Sequence, residues 1–278
     1  MPLTQILLPG EDWQVVSSGH QFTEGPAADG DGNLYFVDVP ASKIFKLDVA
    51  SGKVSTFVED SGKASGLAFG GDGQLYAAQN GTRAIVKYDA EGKATKVADD
   101  IDVNDLAVTR HNEIYITDPK NHRVWYISAS GEKKIVDEGI ERPNGVTLWP
   151  DQKTLVVADS ASDHLYAFRV NADGTLAARQ PYYTLQLTSA AVIAGKKASA
   201  ADGLKVDSSG RVYCASEAGL QVFDTQGRLS GVIAKPQAKF LSNVAFGGPQ
   251  GNTLFVTSSD KVYARKVQPT GVSNWPKK

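Results

Sequence analysis

Short apolar runs, several alternating with polar residues, recur along the whole chain and are separated by clusters of Gly, Asp, Asn and Ser. That is the pattern of half-buried β-strands joined by tight turns. The stretch "FTEGPAADGDGNLYFVDV", Phe22 to Val39, reads as strand, turn and strand, with "DGDGN" as the turn. The pattern returns as "SGLAFGGDGQLYAAQ" from Ser65, "NDLAVTRHNEIYITD" from Asn104 and "NGVTLWPDQKTLVVAD" from Asn144. It appears twice more, as "DGLKVDSSGRVYCAS" from Asp202 and "NVAFGGPQGNTLFVTS" from Asn243. Counted from Glu24, the heads of these units are 41, 39, 40, 58 and 41 residues apart. Four short strands fit each unit, near 24–29, 34–39, 43–49 and 53–59 in the first. No segment has the 3.6-residue period and caps of a long helix.

Repeats of about 40 residues with four antiparallel strands predict a β-propeller. The expected fold is all-β, a six-bladed propeller forming a single domain over residues 1–278, with blades starting near 24, 65, 104, 144, 202 and 243. The last unit supplies only three strands, ending at 261–267, and the N-terminal "WQVVSS" (13–18) is placed to supply the fourth. Such a splice closes the ring and covers two sheet edges that would otherwise be exposed.

The first strand of each blade lines the central channel, so the residue at its head can face the axis at one mouth. That position carries Glu24, Ser65, Asn104, Asn144, Asp202 and Asn243. Taken singly, a polar residue at a strand start commonly caps a turn, and Asn-Gly and Asp-Gly are ordinary turn dipeptides. Six in phase are a different matter, because converging buried polar groups need partners. Carboxylates and amides are oxygen donors and suit a hard divalent cation such as Ca²⁺, Mg²⁺ or Mn²⁺. No Cys or His falls in this register, so the ring does not suggest a soft zinc site.

Composition narrows the partners. With 29 basic and 31 acidic residues the net charge is −2 and no basic block stands out, so neither nucleic acid nor an anionic membrane is expected. No apolar run approaches a membrane helix, and "MPLTQILLPGEDW" lacks the features of a signal peptide. The protein is expected in the cytoplasm, or exported with its signal removed, as a monomer or weak dimer acting on a small molecule. Cys214, the one cysteine, alternates into an apolar strand and reads as a small core residue.

The chain resembles the regucalcin/gluconolactonase (senescence marker protein) family of six-bladed propellers. The resemblance rests on "FTEGP" (22–26), "ND" (104–105) followed by "IYITDP" (114–119), "PNG" (143–145) and "DGLKVD" (202–207), and it spans essentially the whole chain. It implies a divalent metal held by Glu24, Asn144 and Asp202, with Asn104 as a fourth ligand or a partner of metal-bound water or substrate. Ca²⁺ is the first expectation, with Mg²⁺, Mn²⁺ or Zn²⁺ as alternatives for activity. The resemblance also implies Asp202 as catalytic base and Asp105 as a partner for a sugar hydroxyl. One position departs: where sugar-lactone members commonly carry an Arg two residues before the Asn, Asp102 stands here. A carboxylate cannot act as a guanidinium fork on a polyol, so the departure bears on the substrate and not on the metal.

The expected activity is therefore metal-dependent lactone hydrolysis, with Asp202 as general base. Two other classes share the architecture: a phosphotriesterase or other esterase, and a non-catalytic ligand-binding propeller with a structural metal. The surplus between Asn144 and Asp202, "LQLTSAAVIAGKKASA" (185–200), enters at the mouth and is either a lid or a surface excursion. Asp38, Asp118 and Asp159 are expected to bond turn amides, with orienting the metal ligands from behind as the alternative. His20, His122 and His164 are expected on the mouth face and His111 at the opposite end, each solvated or structural rather than catalytic. Trp13, Trp125, Trp149 and Trp275 read as blade packing.

Overall fold

Tight turns rich in Asp, Asn and Gly cut the chain into strands of three to nine residues. The computed structural model describes residues 2–274 and arranges these strands in six separate four-stranded antiparallel sheets. Blade 1 comprises Thr23–Ala28, Leu34–Asp38, Lys43–Asp48 and Lys53–Val58, each hydrogen-bonded to the next. The inner strands of blades 2 to 6 are Ala64–Phe69, Leu106–Val108, Pro143–Leu148, Leu204–Val206 and Leu241–Gly247. Each inner strand packs beside those of the two adjacent blades, and the strands of blades 6 and 1 meet to close the ring.

Blade 6 takes its outer strand from the N-terminus. Gln14–Ser18 pairs antiparallel with Lys261–Lys266, as the terminal splice predicted. The core lies between blades rather than inside any one of them. Tyr35 and Val37 of blade 1 pack with Leu67 and Ala77 of blade 2, and Leu220 and Val222 of blade 5 with Val244 and Leu254 of blade 6. Burying one such aliphatic or aromatic side chain contributes about 1.5–3 kcal/mol, so the inter-blade seams hold the ring closed. Trp13, Trp125 and Trp149 pack against three of these clusters, while Trp275 lies outside the described residues.

The heads of the inner strands are irregular in all six blades. Register shifts fall between Glu24 and Ala27, Ala64 and Gly66, Pro143 and Val146, and Leu241 and Asn243. In blades 3 and 5 regular pairing starts two residues after the ring residue. Thr117 there exchanges backbone bonds with both Asn104 and Asp105, and Ala215 with both Asp202 and Gly203. Two residues opposing one is the arrangement of a β-bulge, which bends the strand and re-aims its side chains. Strand heads that sequence pattern reads as regular are thus bulged at or beside each ring residue.

The 185–200 segment is pinned at both ends between blades 4 and 5. Leu185 is buried, the backbone of Gln186 exchanges two hydrogen bonds with the Gln221 side chain, and Ser199 bonds the backbone of Ser162 and Glu217. Between the pins lies one short helix, Ser189–Ile193, capped by the Thr188 hydroxyl, with Val192 and Ile193 exposed. No helix among the described residues is long and apolar enough to cross a membrane.

Candidate active site at the channel mouth

The six ring residues fall into two groups. Ser65 spends its hydroxyl on the backbone carbonyl of Asn104 at 2.7 Å. Asn243 is buried and fully engaged: its Nδ2 donates to Glu24 Oε2 at 2.9 Å and its Oδ1 accepts from the Val244 N–H. The other four keep oxygens free. Asn144 donates its Nδ2 to Ser160 Oγ at 2.9 Å, which leaves its buried Oδ1 without a partner. Ser160 is itself fixed by donating to the Ala201 carbonyl at 2.6 Å, so the Asn144 amide is held with its oxygen toward the channel. The side chain of Asn104 has no hydrogen-bond partner among the described residues, and the Asp202 carboxylate has only the backbone N–H of Gly203. Glu24 Oε2 accepts from Gly25 N–H and Asn243, leaving its other oxygen free.

Glycines let the neighbouring blades approach this closely. A Cβ on Gly203 would stand 1.8 Å from Asn243 Cγ, and one on Gly66 would stand 2.6 Å from Asp105 Oδ1. Asp105 thus packs into the space that Gly66 leaves. Its exposure is only 2%; it accepts from the Leu106 N–H at 2.8 Å, and its Oδ2 has no partner. The expectation that Asp105 meets a sugar hydroxyl therefore sits against a buried position, and Asn104 has the freer side chain.

Three carboxylates, Glu24, Asp105 and Asp202, feel one another's charge inside this cluster. Burial first, then the charge of Asp105, pushes Glu24 up to about 8. Burial and the charges of Glu24 and Asp105 raise Asp202 well above the usual carboxylate range, and burial raises Asp105. Without a cation these groups resist ionisation, and a bound cation would favour the ionised form of Asp202. The cationic counterweight below the ring is Lys205, whose charge acts on Glu24 and Asp105. Its neighbours Leu204 and Val206 point into the inter-blade core, so alternation turns Lys205 to the channel. There it lines a cavity of about 230 Å³ near the far ends of the inner strands, which the C-terminal segment crosses with Asn274 bonded to the Val108 carbonyl at 2.6 Å.

The donor set fits a hard cation. Two carboxylates and two amides stand at the heads of inner strands, one amide oxygen is buried and orphaned, and three carboxyl groups outnumber the cations Lys205 and Arg142 whose charges reach them. Among the described residues no three His, Cys, Asp or Glu side chains group as a cation cluster, consistent with a set that is half amide.

The remaining candidates are structural. Asp38 accepts the Gln21 and Phe22 amides, Asp159 those of Arg142 and Ala161, and Asp118 the Asn121 amide and the Trp125 indole. His20 bonds Ser17, His122 the Glu141 carbonyl, and His164 lies 3.4 Å from Asp163. Cys214 is fully buried, and burial followed by the charge of Asp202 pushes its thiol up, which suits a core residue and not a nucleophile. Asp102 is tied to Arg83 and Lys120, each at 3.2 Å, and to Asn121. Sequence reasoning missed Lys205, Ser160 and the engagement of Asn243. Alternation along "GLKVD" signals the first; the other two depend on contacts between strands.

Fold and site together define a six-bladed propeller with a ring of oxygen donors at one mouth of its channel. The chain belongs to the SMP-30/gluconolactonase/LRE-like family, whose model matches residues 22–260. It is 28% identical to a gluconolactonase of Zymomonas mobilis over 93% of this chain and 82% of that protein. It is 26% identical to the pentonolactonase XacC of Haloferax volcanii over 88% of this chain and 84% of that protein. A solved regucalcin of Agrobacterium tumefaciens, described as a calcium-binding protein, superposes with a TM-score of 0.80 at 19% identity, covering 95% of this chain and 96% of that one.

Proposed function

We propose that the protein is a divalent-cation-dependent lactone hydrolase whose cation is held by Glu24, Asn104, Asn144 and Asp202. The observation that carries the cation is the set of unpaired oxygens on these four residues, above all the orphaned and fixed Oδ1 of Asn144. The lactone class is supported by the lactonase names of the curated relatives. Calcium is the first candidate, in keeping with the calcium-binding description of the regucalcin neighbour. When bound, the cation supplies Lewis-acid polarisation of the ester carbonyl and charge stabilisation of the transition state.

The chain's own residues do the rest. Asp202, partly accessible in the channel wall, takes the proton of the attacking water. Its ionised form is required for that role, which is how a neighbouring positive charge and the base cooperate. Asn144, clamped through Ser160, and Asn243, bonded to Glu24, hold the donor ring in place. Asn104, with its free amide, is placed to meet substrate oxygen.

The test is hydrolysis of sugar-derived and aliphatic γ- and δ-lactones by metal-stripped protein, with Ca²⁺, Mg²⁺, Mn²⁺ or Zn²⁺ added back. Turnover that vanishes on stripping and returns with one of these ions is the expected result. A protein that binds the ion tightly yet opens no lactone, while cleaving a phosphotriester or nothing, would overturn the lactonase reading.

A further inference from the structure

The residues two positions before each ring residue form a second, outer tier at the mouth: Phe22, Lys63, Asp102, Arg142, Ala200 and Leu241. They are not equivalent. Leu241 is buried in the core, and Phe22 stacks on Phe240 with ring centroids 6.4 Å apart. Asp102 is neutralised by Arg83 and Lys120. Lys63 and Arg142 are the two cations of this tier whose backbone is anchored and whose side chain has no partner among the described residues, and it is Arg142 whose charge acts on Asp202. The backbone of Arg142 is held on both sides of its Cα. Its N–H donates to Asp159 Oδ1 at 3.0 Å and its carbonyl accepts the Ser160 N–H at 3.0 Å. Its guanidinium is exposed and has no hydrogen bond or ion pair with any described residue.

Arg142 lies in the bend just before Pro143–Leu148, two residues ahead of Asn144, and its charge reaches Asp202. Blade 4 lies opposite blade 1 in the ring, so Arg142 and the Phe22–Phe240 pair stand on opposite sides of the mouth. Charge balance adds a second reason. With the cation of the proposed function in place, Lys205 and that ion offset the three ionised carboxylates, and the charge of Arg142, like that of Lys63, is left over at the entrance.

We propose that Arg142 is a specificity residue, whose guanidinium receives a carboxylate carried by the lactone at a position remote from the ester. The fork geometry of Arg suits a carboxylate with two parallel N–H donors, and the anchored backbone limits the ordering required on binding. The substrate class is then a lactone of a dicarboxylic sugar acid, its less polar face toward Phe22 and Phe240. This inference rests on the lactone hydrolase reading of the same site.

The test compares two lactones of one sugar that differ in a terminal group, D-glucono-lactone and D-glucaro-lactone, with the Ca²⁺-loaded wild type, Arg142→Gln and Arg142→Lys. Wild type is expected to favour the carboxylate-bearing lactone. Arg142→Gln should lower kcat/KM for it by about 10- to 100-fold more than for the neutral lactone, chiefly through KM, and Arg142→Lys should fall between. Equal losses on both lactones, or none on either, would overturn the proposal. If the wild type opens neither of these two, the hydrolase reading is decided by the wider lactone panel above, and fails by itself only if none of that panel turns over. Calorimetric binding of glucarate against gluconate then decides for Arg142: a preference for glucarate that Arg142→Gln removes supports it, and equal binding overturns it.

Discussion

Replacing Asp202 by Asn is expected to lower kcat by about 10³-fold or more while the folded protein survives. A positioned general base contributes about 10²–10⁴-fold, and the same change removes one anionic donor from the cation ring. The stability effect runs the other way. Burial and the charges of Glu24 and Asp105 disfavour the Asp202 carboxylate, so a neutral isostere relieves repulsion in the metal-free protein. Metal-free Asp202→Asn should therefore unfold at a higher temperature than metal-free wild type at pH 8. Saturating Ca²⁺ should stabilise the variant less than the wild type. Steady-state kinetics and thermal unfolding on the same preparations check both halves. A variant that is inactive and also less stable without metal would point to a structural role for Asp202 instead.

The metal-free protein is also expected to lose stability as pH rises from 6.5 to 9. Glu24 ionises at about 8 in the folded chain, against an ordinary value of 4.5. Between those values the unfolded chain has released this proton and the folded chain retains it. Folding stability from Glu24 is thus fully present below about 4.5 and is lost as pH rises through 8. Asp202 and Asp105, also raised, act in the same direction. His20 opposes this only at lower pH: burial lowers its pKa below 6.5, so its contribution is complete above that point. Across the stated window the Glu24 share is on the order of 2 kcal/mol, enough to move the melting temperature by several degrees. Saturating Ca²⁺ selects the ionised ring and should flatten or reverse the slope. Glu24→Gln should flatten it without metal. A metal-free melting temperature that climbs over this range would contradict the ring electrostatics.

The architecture was readable because one physical pattern repeats six times. Alternation and Asp/Gly turns marked the strands of blade 1 to within one residue, and the missing outer strand of blade 6 pointed to the N-terminus. The repeat also placed six polar residues in phase. What separates them was not readable. Asn243 and Asn144 look alike in sequence, yet one turns its amide to Glu24 and the other, held by Ser160, leaves its oxygen free. That choice depends on which groups neighbouring strands bring within reach. The bulges at the strand heads escaped notice for a related reason, because the residues they re-aim carry no local signature beyond Gly and a polar neighbour. The resemblance implied Asp105 as a partner for a sugar hydroxyl, and no sequence pattern foretold that it packs into the space left by Gly66 on the adjacent blade.

The measurement that tests the central claim most directly is calorimetric titration of Ca²⁺ into metal-stripped wild type and Asn144→Ala at pH 7.5, repeated in two buffers of different ionisation enthalpy. One ion per chain should bind with release of protons from the carboxylate ring, and loss of the Asn144 oxygen should weaken binding by at least about tenfold. Binding that is absent from the wild type, or that is unchanged in Asn144→Ala and releases no proton, would contradict a cation held by this ring.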